Sequence, residues 1–314
     1  MEITADLPLN INEETLIDLH SILNLMNVAT YELMQLETIL ENGAQIEACI
    51  ERSTRAAEML YDPAEAHRLV AGVGTHVREI EAALDDAAKR SAPAHPEVYH
   101  QHRRNLASIY GILRVRAAEI QARQANPLAW VRHEVGALRR NFVEVLQAIE
   151  RNSHGAYRIV NNIAEHEEGR YFVNFEIDSV LGEHLHMPAV FQDVMRDLIA
   201  NARKYTPPGG RILAGLFFGE QDLRFTVSDN GAGMPPAEIA DLVQFGRRGS
   251  NVADRPTRGG GFGLTKAYYV TRRFGGRMWI DSEGMPGKGS QIRIILPFPE
   301  GGFATSPSAE VDTP

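Results

Sequence analysis

The sequence predicts an α+β protein in which an all-helical region precedes a sandwich of one mixed sheet and several helices. Up to about residue 152, apolar residues recur at helical spacing, whereas from Tyr171 onward they alternate with polar residues as in strands. Helical runs interrupt the later strands, an order that favours an antiparallel or mixed sheet with helices on one face. The predicted division is a helical region at 1–166, the sandwich at 167–300 and a disordered tail, rich in Gly, Ser, Pro and Thr, at 301–314.

The composition is that of a globular protein with room for two domains. Its 314 residues are 44% hydrophobic and 23% charged, and no apolar run approaches the ~20 residues that span a bilayer. Neither a membrane span nor a secretory signal peptide is predicted. The net charge of −9 argues against direct binding to nucleic acid. The single cysteine, Cys49, excludes an intrachain disulfide and favours a cytoplasmic protein.

The first predicted helix runs from Asn12 to about Asn42, within a helical segment at 12–50. Its apolar residues cover more than one stripe, which predicts burial in a bundle, and we expect that bundle to be dimeric. One line along the helix stays polar and is a candidate functional face. It comprises His20, Asn24, Asn27 and Tyr31, which recur at helical spacing.

Three further helices have recognisable starts, because proline is well tolerated in the first turn of a helix. The starts are Asp62-Pro63, His95-Pro96 and Asn126-Pro127, and the runs that follow extend to about Arg90, Gln124 and Asn152. The helices within 51–125 are therefore predicted as additional members of the helical region.

Three short stretches in the second region together predict a pocket for a nucleoside triphosphate. They read DLIANARKYT from Asp197, DNGAGM from Asp229 and GGGFGL from Gly259. On the helix that the first stretch predicts, Asp197 and Asn201 lie one turn apart on the same face, with Lys204 about one turn further on. A carboxylate and an amide oxygen on one face suit Mg²⁺, which takes one or two protein oxygens beside phosphate and water.

The other two stretches supply groups for the base and the phosphates. Asp229 ends a predicted strand, and Gly231 and Gly233 let the chain turn after it. A buried carboxylate there can accept a hydrogen bond from the exocyclic amine of adenine. The glycines of the third stretch precede a helix near Leu264, whose N-terminal N–H groups suit phosphate oxygens.

These stretches, in this order, resemble the ATP-binding domain of the GHKL (Bergerat) superfamily, which includes sensor histidine kinases, type II topoisomerases, mismatch-repair ATPases and anti-sigma serine kinases. The resemblance covers about Tyr171 to Pro297, with FGRRGS around Phe245, GGRMWIDS after the third stretch and GKGSQIRIILP from Gly287. It is closest to the histidine kinases. Their pattern matches Asn201, Ala202, Lys204, Tyr205 and Thr206.

The resemblance implies ATP and Mg²⁺ as cofactors of a Bergerat-type sandwich, and a dimerisation and phosphotransfer role for the helical region. It implies Asn201 and Asp197 as metal ligands, with Asp197 also placed to activate water. The lid RRGSNVADRPTRGGG adds Arg255 and Arg258 as further candidates for the γ-phosphate. The implied nucleotide-binding residues are Asn201, Lys204, Tyr205, Asp229, Gly231, Gly233, Phe245, Arg247, Arg248, Gly259, Gly261, Phe262, Gly263, Leu264 and Ser290.

The predicted phosphoacceptor is His20, whose imidazole we expect to face outward. The stretch HSILNLMNV resembles the phosphoacceptor box of some histidine kinases, although Ser21 replaces the acid that usually follows the histidine. Asn24 matches the position that orients water for dephosphorylation of the partner, so it is assigned with His20 to catalysis. The other candidates, in order, are His100, His102 and His133. Metal binding by His95, His100 and His102, or by His184 and His186, is an alternative.

The predicted function is therefore an ATP-dependent protein histidine kinase that passes its phosphoryl group to the receiver domain of a response regulator. An upstream sensor protein could supply the signal. The alternative is a nucleotide-binding dimer that signals without catalysis or as a phosphatase. Two further rivals are an ATP-driven clamp, which would need a transducer domain after the ATP site, and an anti-sigma type serine kinase, which would not need the long helices.

Overall fold

The computed structural model describes residues 1–40, 44–90, 93, 95–124, 126–151, 158–160, 170–252 and 261–303. The chain divides into two compact units. The helical unit is Pro8–Asn126, and the second unit combines Met1–Leu7 with Pro127–Pro314. The boundary that the sequence suggested near residue 166 therefore falls inside the second unit. The chain passes from the second unit into the helical unit and returns from it at Pro127.

The helical unit is a four-helix bundle within one chain. Its helices are α1 (Ile11–Ile39), α2 (Ala44–Met59), α3 (Pro63–Arg90) and α4 (Pro96–Gln124). Helix α1 packs on α2 and α4, and α3 packs on the same two helices. The prediction of a bundle is confirmed, whereas its dimerisation stays a prediction. No helix among the described residues is both long and apolar enough to cross a membrane.

The helical segment predicted at 12–50 is two helices, because α1 ends at Ile39 and α2 begins at Ala44. The cap of α1 is Asn10, and the helix begins at Ile11, one residue before the predicted start at Asn12. The Asn10 side chain accepts hydrogen bonds from the backbone N–H groups of Asn12 and Glu13, and the Glu13 carboxylate accepts one from the Asn10 N–H. This reciprocal capping box satisfies donors that the helix itself leaves unpaired, so the helix starts at Ile11.

The helix predicted from Asn126-Pro127 is wrong over its first turns. Trp130–Glu134 instead form a strand, β1, and the helix that follows, α5, occupies Val135–Arg151. Strand β1 pairs in antiparallel register with β4 (His184–Pro188). A partner strand that is distant in sequence satisfies the backbone of β1, and such tertiary pairing overrides a local helix signal. The other two proline starts are confirmed.

The second unit is built on a six-stranded mixed sheet. Tyr171–Ser179 pairs in parallel with both of its neighbours, Ile159–Val160 and Arg211–Phe218, and the remaining pairs of neighbouring strands are antiparallel. In spatial order the strands are β2 (Ile159–Val160), β3 (Tyr171–Ser179), β5 (Arg211–Phe218), β6 (Asp222–Asp229), β8 (Ser290–Pro297) and β7 (Arg277–Ser282).

Helices α5, α6 (Phe191–Tyr205) and α7 (Phe262–Arg273) also belong to the second unit. Buried residues of α6, α7 and the sheet share one apolar core, to which Leu198, Tyr268, Phe225 and Ile294 contribute. The predicted sandwich of a mixed sheet with helices is confirmed. Helices α6 and α7 carry the first and third predicted nucleotide-binding stretches, and β6 ends in the second.

Residues 1–3 form an extra partner for the β7 edge of the sheet. The Ile3 N–H donates to the Met278 carbonyl at 2.9 Å, and the Ile280 N–H donates to the Met1 carbonyl at 2.9 Å. The Ile3 side chain is only 3% exposed and belongs to the apolar core. In chain order, the four-helix bundle therefore lies between this edge segment and β1, an order that the sequence did not predict.

Candidate nucleotide-binding site

The predicted adenine end of the site is a carboxylate at the end of β6. Asp229 lies opposite Ser290 in the pairing of β6 with β8. The Ser290 hydroxyl donates to Asp229 Oδ2 at 2.7 Å, and the Gly231 N–H donates to Asp229 Oδ1 at 2.8 Å. These two bonds fix the carboxylate and leave lone pairs for one more donor, such as an exocyclic amine.

Burial raises the pKa of Asp229 above its usual range, although the hydrogen bonds from Ser290 and Gly231 act in the opposite direction. The carboxylate therefore takes up a proton at a higher pH than a solvated aspartate, whose pKa is ~3.9. A protonated carboxyl has lost an acceptor site. A nucleotide held through this group should therefore dissociate as the pH falls.

Replacing Ser290 with alanine is expected to move the acid limit of ATP binding to higher pH. The variant lacks the hydrogen bond that stabilises the ionised form of Asp229, so the pKa of Asp229 rises further. The measurement is ATP affinity by calorimetry from pH 7 downward. Protonation of adenine itself is the same for both proteins and cancels in the comparison.

The matched control is Ser228→Ala, because adjacent residues of a strand point to opposite faces of the sheet. This control should keep the wild-type acid limit. If ATP affinity depends on pH in the same way in Ser290→Ala and in the wild type, Asp229 is not the group whose protonation limits ATP binding.

The second stretch packs directly on the end of the first. The Ala232 N–H donates to the Tyr205 carbonyl at 3.1 Å. A Cβ atom at Gly231 would lie 2.5 Å from the same carbonyl oxygen, so only glycine allows this approach. Gly233 has a φ of 69°, in the left-handed region that a turn here requires. The turn at Gly231 and Gly233 therefore has the form that the sequence predicted.

The third stretch packs on the middle of the first. Gly261 caps α7 with a φ of 79°, and a Cβ atom at Gly263 would lie 2.6 Å from Asn201 Nδ2. The predicted metal ligand on α6 therefore touches the first turn of α7. The N–H groups at that helix end are the donors that the sequence predicted for phosphate.

Cationic side chains crowd the same part of the unit. Burial lowers the pKa of the Lys204 ammonium, and the nearby charges of Arg248 and Arg203 lower it further. The repulsion between these positive charges decreases when an anion binds among them. Arg247 is exposed, and its backbone carbonyl lies 3.1 Å from the position of a Cβ atom on Gly261. The beginning of the predicted lid therefore adjoins the predicted phosphate loop.

The remaining predicted pocket residues lie around the start of α7. The rings of Phe245 and Phe262 are 4.8 Å apart, and Leu264 packs against the apolar core. The Tyr205 ring lies 5.3 Å from Lys204 Nζ. Gly259, Arg255 and Arg258 lie outside the described residues, so their predicted roles stay predictions.

Sequence reasoning missed a lysine beside Asp197. Lys266 of α7 is fully buried, and its Nζ lies 3.6 Å from Asp197 Oδ2 and 3.7 Å from Asp193 Oδ2. The signal was available, because Lys266 lies four residues before the buried Val270, on the apolar face of its helix. Asp197 therefore has a cationic neighbour in addition to its predicted roles as metal ligand and water activator.

The predicted phosphoacceptor has a different environment from the expected one. His20 is only 5% exposed on α1, so the prediction of an outward-facing imidazole is wrong for this conformation. The reason is that α1 packs against other helices over more of its circumference than a single apolar stripe would need. Asn24, one turn later, is half-buried.

The three other candidate histidines differ sharply from one another. His102 Nδ1 lies 2.7 Å from Glu32 Oε2, a contact between α4 and α1. His100 is exposed and its ring adjoins Tyr99. His133 lies on strand β1 and not on a helix, and burial together with His186 lowers its pKa to about 4.

The alternative of a histidine metal site gains no support from the described part of the chain. Within it, no three His, Cys, Asp or Glu side chains converge to hold a metal ion. His102 contacts Glu32, and His186 stacks on Phe303 with ring centroids 4.4 Å apart. Cys49 is buried, and burial raises the pKa of its thiol, so it is a poor nucleophile.

Comparison with known proteins finds a protein family that matches the part of the chain containing this site. Residues 188–300 match the family described as histidine kinase-, DNA gyrase B-, and HSP90-like ATPase. The matched range contains every predicted nucleotide-binding residue, from Asn201 to Ser290.

Several curated sensor kinases are similar over the same part of the chain. The adaptive-response sensory kinase SasA of Thermosynechococcus vestitus is 37% identical over 36% of this chain and 30% of its own length. SasA of Synechococcus elongatus is 29% identical over 61% of this chain and 48% of its own. The sensor histidine kinase WalK of Bacillus subtilis is 32% identical over 34% of this chain and 18% of its own. The chain thus spans less than half the length of each of these relatives.

Among solved structures, a mycobacterial sensor histidine kinase, MprB, aligns over 53% of this chain and 97% of its own, with 21% identity and a TM-score of 0.38.

Proposed function

We propose that this chain, whose residues 188–300 match the histidine kinase-, DNA gyrase B-, and HSP90-like ATPase family, is an ATP-dependent protein histidine kinase of a two-component system. One observation carries the proposal. The three sequence stretches of the nucleotide site meet within one unit, through the contact of Gly231 with Tyr205 and that of Gly263 with Asn201. The similarity to SasA and WalK supports the kinase class.

In this proposal the chain binds ATP both at its adenine base and at its phosphates. Asp229 accepts a hydrogen bond from the adenine amine, with Tyr205 against the base or ribose. The N-terminus of α7 receives phosphate oxygens, and Lys204, Arg247 and Arg248 offset their charge. The amide oxygen of Asn201 suits Mg²⁺, which normally takes few protein ligands beside phosphate oxygens and would neutralise charge on the triphosphate.

Phosphoryl transfer then requires an imidazole in line with the γ-phosphate. The imidazole nitrogen bonds to the γ-phosphorus as the bond to the β-phosphate oxygen breaks, and ADP leaves. We place His20 first as acceptor because HSILNLMNV carries the family-like pattern, and Asn24 then serves the reverse, phosphatase reaction. Because His20 is buried, its neighbours must move before it can attack.

His102 is a second candidate acceptor on a specific observation. A carboxylate at Nδ1 holds an imidazole in the tautomer whose Nε2 is free to act as nucleophile, and Glu32 Oε2 lies at that position. Glu32 thereby occupies the role of the acid that is missing after His20, where the chain has Ser21.

Incubation with Mg²⁺ and γ-labelled ATP tests the function. We expect an acid-labile, base-stable label on the protein, lost in His20→Ala and retained in His100→Ala and His102→Ala. If the label is lost only in His102→Ala, the phosphoacceptor is His102, the histidine that contacts Glu32. Bound ATP without any label would overturn the kinase and leave the non-catalytic module, and hydrolysis without label would leave the clamp.

We further propose that the phosphoryl group passes to a receiver aspartate of a response regulator in the cytoplasm. Dimerisation through the bundle and an upstream sensor protein belong to the same proposal. Mixing labelled protein with a purified receiver domain should move the label to the receiver. Sedimentation of the unlabelled chain should give the mass of a dimer.

A further inference from the structure

Lys266 stands out because its ammonium group is buried in the second unit between two carboxylates. Its side chain is 0% exposed, and the side chains of Asp193 and Asp197 are 4% and 19% exposed. Asp193 also accepts a hydrogen bond from Arg196 Nη1 at 3.0 Å. Through these contacts, the cluster joins two carboxylates to two cationic side chains.

This cluster lies next to the proposed site of phosphoryl transfer. On α6, Asp197 is one turn before Asn201, and on α7, Lys266 is about one turn after Gly263. The two helices thus touch at consecutive levels, with Gly263 against Asn201 and Lys266 against Asp197. The charge contact at 3.6 Å favours this relative position of α6 and α7, because sliding one helix along the other would separate the two charges. The position of α7 in turn sets the distance between the phosphate loop and Asn201.

The same contact limits what Asp197 can do. If its carboxylate turned to a cation beside the phosphates, Lys266 would keep Asp193 alone of these two carboxylates, and Asp193 also binds Arg196. The buried ammonium would lose one of its two counter-charges, and a buried charge that loses a partner is costly. Activation of water has the same geometric requirement, because the carboxylate must turn toward the water to accept its proton.

We propose that Lys266 is a positioning residue that holds Asp197 in the contact between α6 and α7, so that the site transfers the γ-phosphoryl group to protein rather than to water. The inference rests on the proposed kinase function. In hydrolysis, a water oxygen would bond to the γ-phosphorus as the bond to ADP breaks, and the proton would need a base. Lys266 keeps the Asp197 carboxylate from that task.

The test compares Lys266→Met with wild type and with Lys266→Arg, using the full chain. Lys266→Met removes the charge at similar length, so we expect the ratio of phosphate release to protein labelling to rise at least tenfold. The Mg²⁺ concentration for half-maximal ATP binding should fall, because Asp197 becomes available as a ligand. Lys266→Arg should keep the wild-type ratio. Lys89→Met, at an exposed site in the bundle, is the control for the loss of a lysine.

Two further variants keep the proposal open to refutation if Lys266→Met folds poorly. Lys266→Met combined with Asp197→Asn removes one charge of each sign, and it should abolish the excess hydrolysis. In Asp197→Asn alone, hydrolysis and labelling should decline together, because the helix contact loosens. A selective loss of hydrolysis with labelling retained would show that Asp197 activates water, and the proposal would be overturned. An unchanged ratio in a folded Lys266→Met protein would also overturn it.

The result that would refute the kinase function differs from the results that would refute the role of Lys266. If no variant ever carries label but ATP is hydrolysed, the kinase is refuted. The Mg²⁺ dependence and hydrolysis rates of Lys266→Met still decide whether Lys266 restrains Asp197.

Discussion

Replacing Asp229 with alanine is expected to weaken ATP binding about 100-fold without unfolding the protein. A hydrogen bond to a charged group contributes ~1.5–3 kcal/mol, and the upper value applies where burial excludes water as a substitute. Asp229 is such a group, since burial raises its pKa and two donors already fix its orientation. The variant should also lose much of its preference for ATP over GTP. Calorimetry with each nucleotide measures both effects.

The same strand supplies the control. Asp222 lies at the other end of β6, where it pairs with Arg224 through two hydrogen bonds. Asp222→Ala should leave ATP affinity unchanged. Both tryptophans, Trp130 and Trp279, lie in the second unit, so their fluorescence verifies its folding in either variant. Wild-type affinity in a folded Asp229→Ala protein would mean that adenine binds elsewhere.

Gly263→Ala is expected to reduce phosphorylation about 100-fold while weakening nucleotide binding much less. The added Cβ would lie 2.6 Å from Asn201 Nδ2, so the Asn201 side chain or α7 must shift. A displacement of about 1 Å in a transfer site costs ~100-fold in rate. Adenine recognition at Asp229 lies on a different element and should persist. Single-turnover labelling and equilibrium binding separate the two effects.

Gly215→Ala is the matched control. Gly215 lies in the same unit as Gly263, and a Cβ atom added to it would have no neighbouring atom within 4 Å. It should label at the wild-type rate. If Gly263→Ala also labels normally, the contact between Asn201 and the start of α7 does not position the reacting groups.

The groups that sequence placed well are those whose geometry is local. Asp229 ends a strand and is followed by a glycine turn, and Asn201 lies at a fixed rotation from Lys204 on one helix. Periodicity and turn chemistry determine such relations without knowledge of the rest of the fold. The structure accordingly brings these residues to one part of the second unit.

The relations that sequence missed all join distant parts of the chain. Strand β1 exists because His184–Pro188 lies beside it, and the contact of His102 with Glu32 depends on how α4 packs on α1. The outward orientation expected of His20 failed for the same reason. A polar line on one helix does not reveal which neighbours will cover it. Lys266 was a partial exception, because a lysine on the apolar face of a helix is unusual and this position could have been recognised from the sequence.

The pairing of residues 1–3 with β7 has a consequence for how the protein is made. Ile3 leaves the ribosome before the bundle, but its partner Met278 appears only after nearly all of the second unit has been synthesised. The bundle can fold meanwhile from its own contacts. A recombinant fragment starting at Pro127 would expose the β7 edge and the core position of Ile3, and bare edges invite association between chains. An excised ATP-binding fragment should therefore carry residues 1–7 joined to it.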